Sequence, residues 1–314
     1  MFIPYAARVV GSLVASGKVP HGACVLELGA QTYSISQSAI RDIQKTLRAG
    51  RKDTEADALI PFENVVPAHN PRDRVPHMKA FFGALGFRSY QAIDISDYGE
   101  NLIMDLNENL QEKYHFTETY ELVTNIGVSE HLINQANFFE NAHSVTATGG
   151  YMLHVLPAIG YANHGFFNYQ PRFFLDLAAA NGYTIEILAF IDRERPVLNM
   201  LKPSYFGTHF YFMAGLLGVA PYGNLLVAVL FKKTHAGTFV TPLQGKYVRD
   251  IGAGSLHEQY HSSEGEDPMG VPTKGYFAPG TLSPGRALVL RIQQKVLKLS
   301  LAALKLILGA RPQD

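Results

Sequence analysis

The chain has one cysteine, Cys24, so no intramolecular disulfide can form, and a reducing compartment is the expected setting. An excess of either charge is also missing: 27 Lys+Arg balance 27 Asp+Glu, for a formal net charge of zero. A dedicated nucleic-acid binder carries a basic excess to meet phosphates, so no nucleic-acid partner is expected. No hydrophobic run suits a bilayer span. The apolar start, MFIPYAARVVGSLVASGK, is short, contains Arg8 and lacks the charged leading region of a secretory signal. A cytoplasmic protein is the expectation. Internal repeats are absent, as are H-E-x-x-H and Cys/His clusters, and the 12 histidines are scattered. His257, Glu258 and His261 have ligand-like spacing but fall in a segment read as an irregular linker, so no metal site is expected.

What is present is apolar mass and an alternating pattern. Hydrophobic residues make up 47% of 314, enough for one large core. ACVLELG at 23–29 reads as a buried parallel strand closing on a tight turn. YQAIDI at 90–95, a short strand ending at Asp105, YELVTNIG at 120–127, YMLHVLP at 151–157, YTIEILAFI at 183–191 and LLVAVLFKK at 225–233 read as further strands. Helical patterns cover 5–17, 35–50, 77–86, 129–144 and 171–182, with proline-rich loop at 59–76 and a Gly149-Gly150 turn. Strands alternating with helices give an α/β domain with a mostly parallel sheet over residues 1–235. A linker at 236–284 and a helix at 285–309 follow. On that helix Arg291, Gln294, Lys295, Lys298 and Lys305 form one stripe, and the apolar remainder must pack on the domain, on a second subunit in a homo-oligomer, or on an anionic membrane surface as a peripheral contact.

Parallel α/β sheets bind ligands at the carboxyl ends of their strands. There the sequence places Glu27, Gly29, Asp94, Asp105-Leu106 and Asn125. Asp94 suits two ribose hydroxyls, and Asp105 an adenine amino group. In that order, VLELGA, AIDIS, MDLN, ELVTNIGVSEHLINQ, TGGYMLHVLP and HGFFNYQPRFFLDLAAANGY resemble the motifs of class I S-adenosylmethionine-dependent methyltransferases, over about residues 20–235. The resemblance implies a Rossmann-like sheet of seven strands with helices on both faces, S-adenosylmethionine as cofactor and a small-molecule acceptor methylated at O or N. That family's turn reads G-x-G-x-G. Here it reads Gly29-Ala30-Gln31-Thr32-Tyr33, so either the backbone takes another turn or the Gln31 side chain meets the cofactor.

Methyl transfer asks for an aligned acceptor and, for an OH or NH, a base. His164 is the first candidate, in a loop after the fifth strand where the acceptor should lie. His131, at a helix start, is the second, with a structural role as the competing reading. Phe166, Phe167 and Tyr169 can wall an acceptor pocket or belong to the core. Two other functions stay open. One is a non-catalytic Rossmann-like scaffold that has lost the glycine-rich turn. The other is a nicotinamide-dependent dehydrogenase, disfavoured by the lack of G-x-G-x-x-G.

Overall fold

A computed structural model describes residues 1–32, 35, 37–50, 73–194, 196–199 and 224–244, all within the unit Met1–Gly270. Its elements are α1 (Pro4–Ala15), β1 (Cys24–Leu28), α2 (Gln37–Gly50), α3 (Arg74–Ala84), β2 (Ser89–Asp94), β3 (Leu102–Ile103), α4 (Leu110–Tyr114), β4 (Tyr120–Ile126), α5 (Gln135–Ser144), β5 (Thr146–Ile159), α6 (Pro171–Asn181), β6 (Thr184–Ile191), β7 (Pro196–Asn199) and β8 (Leu225–Lys232). The strands form one sheet in the order β3-β2-β1-β4-β5-β8-β6-β7. β1 to β5 pair in parallel, and β8 runs antiparallel between β5 and β6.

Alternation along the central strands divides the core in two. Val25, Leu122, Leu153 and Ala228 face one side with Phe2, Val10, Ile43, Phe81 and Phe82 from the α1–α3 layer. Leu26, Val123, Met152 and Val229 face the other with Phe138, Phe139 and Phe174 from α5 and α6. Successive strand side chains point to opposite faces, so a strand covered on both sides must be apolar throughout. β8, with LLVAVLF wholly buried, is the clearest case. Helix ends follow local chemistry. Pro171 opens α6 where a missing N–H costs nothing, and Gly182 closes it in the left-handed region at φ 59°. α1 and α2 approach closely at Gly11, whose added Cβ would meet Ile43 Cγ2 at 2.9 Å.

The expected parallel α/β sheet with helices on both faces is present, and several local expectations are corrected. The seven strands are joined by an eighth, the four-residue edge strand β7. Gly149-Gly150 is not a turn: β5 runs through it, with Gly149 at φ 84° and an irregular register opposite β4. The helix expected at 129–144 is broken. A 3-10 turn at Ser129–His131 precedes α5, whose N-cap Asn134 accepts from Asn137 N. α3 begins at Arg74, inside the segment read as loop, with Pro76 tolerated in its first turn. α4 was not foreseen. Residues 236–244 carry neither helix nor strand. The rest of the 236–284 linker, the helix at 285–309 with its proposed subunit or membrane contact, and His257, Glu258 and His261 lie outside the described residues. No helix among the described residues is long and apolar enough to cross a membrane.

The chain leaves β1 toward β2 and β3 and then returns to β4 on the other side of β1. Strand order therefore reverses between β1 and β4, and the carboxyl edge there is where an open α/β sheet holds its ligand.

Candidate functional site

The turn after β1 is built without the missing glycines. Gly29 sits at φ 91°, donates to Ile93 O at 2.7 Å and lies against Val128, whose Cγ2 would be 2.3 Å from an added Cβ. Gln31 is buried. Its amide nitrogen donates back to Gly29 O at 3.1 Å, and its Oε1 accepts from Met1 N at 2.5 Å. In this structure the Gln31 side chain braces the turn through both bonds. Glu27 is fully buried beneath it. Its Oε2 accepts from the Tyr90 hydroxyl at 2.6 Å, while Oε1 has no hydrogen-bond partner among the described residues. Burial, partly offset by the Tyr90 bond, pushes this carboxyl up to about 8.

Asp94 ends β2 and clamps the same turn. One oxygen accepts from Ala30 N at 2.9 Å and the other from Ser96 N at 3.0 Å, and the side chain stays partly open to solvent. Asp105 accepts from both the backbone and side-chain nitrogens of Asn107, at 2.8 and 3.0 Å. Asn107 Oδ1 then takes Ile133 N and Asn134 N at 3.0 and 3.1 Å, tying the β3 end to the segment after β4. Leu106 is buried beneath. Sequence reasoning missed a set of exposed isoleucines here. Ile95 (67% exposed) follows Asp94, Ile103 (60%) pairs with Asp94 in the sheet, and Ile133 (70%) is joined to Asn107. Apolar side chains held in the open beside two acids suit a flat apolar group with polar edges.

Beyond β4 the two candidate histidines come together over a carboxylate that the sequence did not single out. Glu130 is wholly buried, and neither of its carboxylate oxygens has a hydrogen-bond partner among the described residues. Burial pushes it up to about 7. His164 Nε2 lies 3.6 Å and His131 Nε2 3.8 Å from Glu130 Oε1, each imidazole about half exposed. The rings meet edge to face at a centroid distance of 5.1 Å. Burial first, then His164, hold His131 below its ordinary value. The loop carrying His164 is docked by its backbone: Phe166 N and Phe167 N both donate to Glu130 O, at 2.7 and 3.2 Å. Among the described residues, ligand-capable atoms of Glu130, His131 and His164 all lie within 4.8 Å of one another.

Asn125 and Tyr169 serve the interior. Asn125 Nδ2 lies 3.0 Å from Ser129 Oγ and 3.1 Å from His154 Nδ1, and Tyr169 donates to Gln135 Oε1 at 2.6 Å and lies 2.8 Å from Ser129 Oγ. Both side chains are buried and committed there. Phe167 packs on the core while Phe166 stands 69% exposed beside His164, so of the three aromatic residues Phe166 is the one open to an acceptor.

His154 titrates with a consequence for stability. It is enclosed by Asn125, Phe139, Phe174 and Phe231, and burial lowers it from 6.5 to about 3. A group whose folded value is depressed takes up a proton first in the unfolded chain, so its contribution is lost as pH falls below about 6.5. At about 1.4 kcal/mol per unit, it should cost about 2 kcal/mol by pH about 5. His154→Asn keeps an acceptor for the Asn125 amide and removes the titration. Urea unfolding at pH about 7 and about 5 should show the wild-type protein losing that much relative to the variant. An equal change in both proteins would refute the burial of a neutral imidazole.

The fold and these strand ends define a class: a Rossmann-like α/β domain whose polar residues gather at the switch between β1 and β4. No protein-family model and no curated protein matches the chain. Solved structures with a similar fold include the Burkholderia thailandensis 1,6-didemethyltoxoflavin-N1-methyltransferase with 1,6-didemethyltoxoflavin and S-adenosylhomocysteine bound, at TM-score 0.40 and 11% identity over 73% of this chain and 79% of that one. An O-methyltransferase from a trans-AT PKS multienzyme of Brevibacillus brevis, in complex with S-adenosyl-L-homocysteine, gives 0.38 and 11% over 72% and 71%. Coclaurine N-methyltransferase gives 0.36 and 11% over 73% and 71%. At those values the likeness carries neither activity nor acceptor.

Proposed function

We propose that this chain binds S-adenosylmethionine at the carboxyl ends of β1, β2 and β3 and methylates an oxygen or nitrogen of a small-molecule acceptor held beside His131 and His164. The observation that carries the reading is the corner between Gly29 and Asp94. Asp94 fixes the turn through Ala30 N yet stays partly exposed, and each of its oxygens has accepted only one backbone N–H, leaving lone pairs for the two hydroxyls of a ribose. The residues fit the cofactor elsewhere too. The orphaned Oε1 of Glu27 lies under the same turn, where a cationic ligand would favour its ionised form. The exposed isoleucines beside Asp94 and Asp105 suit the faces of an adenine.

The cofactor supplies an electrophilic methyl group on a sulfonium. The protein's part is to hold an acceptor in line and deal with its proton. His164 is the group proposed to meet that proton, with His131 beside it and the docked loop fixing its position over Glu130. Phe166 offers an exposed face to the acceptor.

Calorimetry of the full chain with S-adenosylhomocysteine tests the reading. Asp94→Asn keeps an acceptor for Ala30 N but removes the charge. Hydrogen bonds to a charged group contribute about 1.5–3 kcal/mol each, so affinity should fall about tenfold or more. Undiminished affinity in the folded variant would contradict the placement of the ribose. The alternative, a scaffold that no longer binds cofactor, is favoured by the Gln31 amide, which is spent on Gly29 O. Absence of any binding to folded wild-type protein would establish it.

A further inference from the structure

We propose that Glu130, His131 and His164 bind one divalent transition-metal ion, of the kind Zn2+ represents. Three features of the cluster point there. The donor set is two imidazoles and one carboxylate, the composition of an open three-ligand metal site that leaves a further position for water or substrate. The carboxylate is fully buried with both oxygens lacking a hydrogen-bond partner among the described residues, and a buried charge is tolerated when it is paired or coordinates a metal. The Glu–His separations of 3.6 and 3.8 Å are too long for hydrogen bonds. They are close to the ~3.3 Å that tetrahedral bonds of about 2.0–2.1 Å would set between ligand atoms. A shift of a few tenths of an ångström would close them, and the half-exposed imidazoles are free to make it.

The backbone is built to permit this arrangement. Gly165, next to His164, lies against Glu130: a Cβ there would come within 2.9 Å of both Glu130 Cγ and its carbonyl oxygen. Gly127, at φ 68°, leaves room for the carboxylate, whose Oε1 would be 3.3 Å from an added Cβ. The donated N–H groups of Phe166 and Phe167 hold the His164 loop on the Glu130 carbonyl. Two glycines and two backbone bonds thus bring residues 130, 131 and 164 together. Oxygen-seeking ions such as Mg2+ or Ca2+ would find one carboxylate and two nitrogens, a poor match.

The inference rests on the proposed function only for what the ion would do: its open position would receive the acceptor's oxygen and lower the pKa of that hydroxyl, with the histidines acting as ligands. Binding itself is independent of that reading. Zn2+ titrated into metal-free full-length protein should bind, and Glu130→Gln and His164→Ala should each remove one equivalent or weaken it at least about tenfold, since loss of a ligand should cost no less than loss of the partners that orient one. Glu130→Gln keeps the side-chain size and removes a buried charge that accepts no hydrogen bond among the described residues, so its melting temperature, read beside uptake, separates lost ligation from lost folding. Co2+ in place of Zn2+ should give visible ligand-field bands in the wild-type protein that Glu130→Gln abolishes. Equal uptake by wild-type protein and Glu130→Gln, or no uptake by either, overturns the metal site. S-adenosylhomocysteine binding, read separately on the same samples, reports on the methyltransferase reading alone, so either can fail without the other.

Discussion

Replacing His164 with alanine is expected to lower methyl-transfer turnover by about 10²–10⁴-fold, the usual cost of removing a group that handles the acceptor's proton, while S-adenosylhomocysteine affinity stays nearly unchanged. The two readouts separate because the site has two halves on different strand ends. The proposed cofactor half rests on Glu27, Gly29, Asp94 and Asp105, at the ends of β1, β2 and β3. His164 belongs to the loop after β5 and meets the rest of the site through Glu130. Its side chain is about half exposed, so its removal leaves no cavity, and stability should move by no more than about 0.5 kcal/mol. The loss should appear whether the imidazole takes the proton itself or helps hold an ion that would acidify the acceptor's hydroxyl so that its proton passes to solvent; the Zn2+ titration distinguishes the two. Product release measured with any acceptor the wild-type protein methylates, beside calorimetry with S-adenosylhomocysteine, makes the test. Full turnover in the alanine variant would remove His164 from the chemistry. A parallel fall in cofactor affinity would show that the two halves are not separable.

The strand ends proposed to hold the cofactor could be located from the sequence because each is local. Each proposed contact lies where an apolar strand stops, and hydrophobic runs such as VLELG and YQAID mark those stops without any knowledge of packing. The acceptor half was legible only in pieces. His131 and His164 could be named as titratable groups near strand ends, but their meeting over Glu130 depends on two backbone bonds from Phe166 and Phe167, which no pattern in the chain announces. Glu130 was not among the candidate residues; the structure makes it the buried centre of the cluster. Asn125 and Tyr169 could not be placed from the sequence for the opposite reason. Their residue types and positions suit a site, and only the hydrogen-bond partners Ser129, His154 and Gln135 place them inside. Gly149-Gly150 read as a turn because a glycine pair usually is one. Here Gly150 has three backbone carbonyl oxygens close to where its Cβ would be, so the pair lets β5 begin early against β4.

Gly29→Ala is expected to destabilise the protein by about 2–5 kcal/mol and to abolish measurable cofactor binding. Two costs add. At φ 91° the backbone is in a region that an alanine enters at about 1–2 kcal/mol. The new methyl would also lie 2.3 Å from Val128 Cγ2, 2.9 Å from Cγ1 and 3.1 Å from Cβ, an overlap that forces one segment to move and costs about 1–3 kcal/mol. Either movement reaches the proposed function. If the turn yields, Ala30 N leaves Asp94 and Gln31 loses its hold on Gly29 O. If Val128 yields, it carries the adjoining Ser129–His131 turn with it, and that turn holds both Glu130 and His131. The double variant Gly29→Ala with Val128→Ala removes both Cγ contacts but neither the φ cost nor the remaining 3.1 Å approach. It should therefore recover part of the stability lost in Gly29→Ala and little of the binding. Urea midpoints and S-adenosylhomocysteine calorimetry on wild-type protein, both single variants and the double give the comparison. A Gly29→Ala protein as stable as wild type and binding as tightly would mean that the turn after β1 adapts freely, and the tight packing of Gly29 on Val128 would then have no part in holding the cofactor.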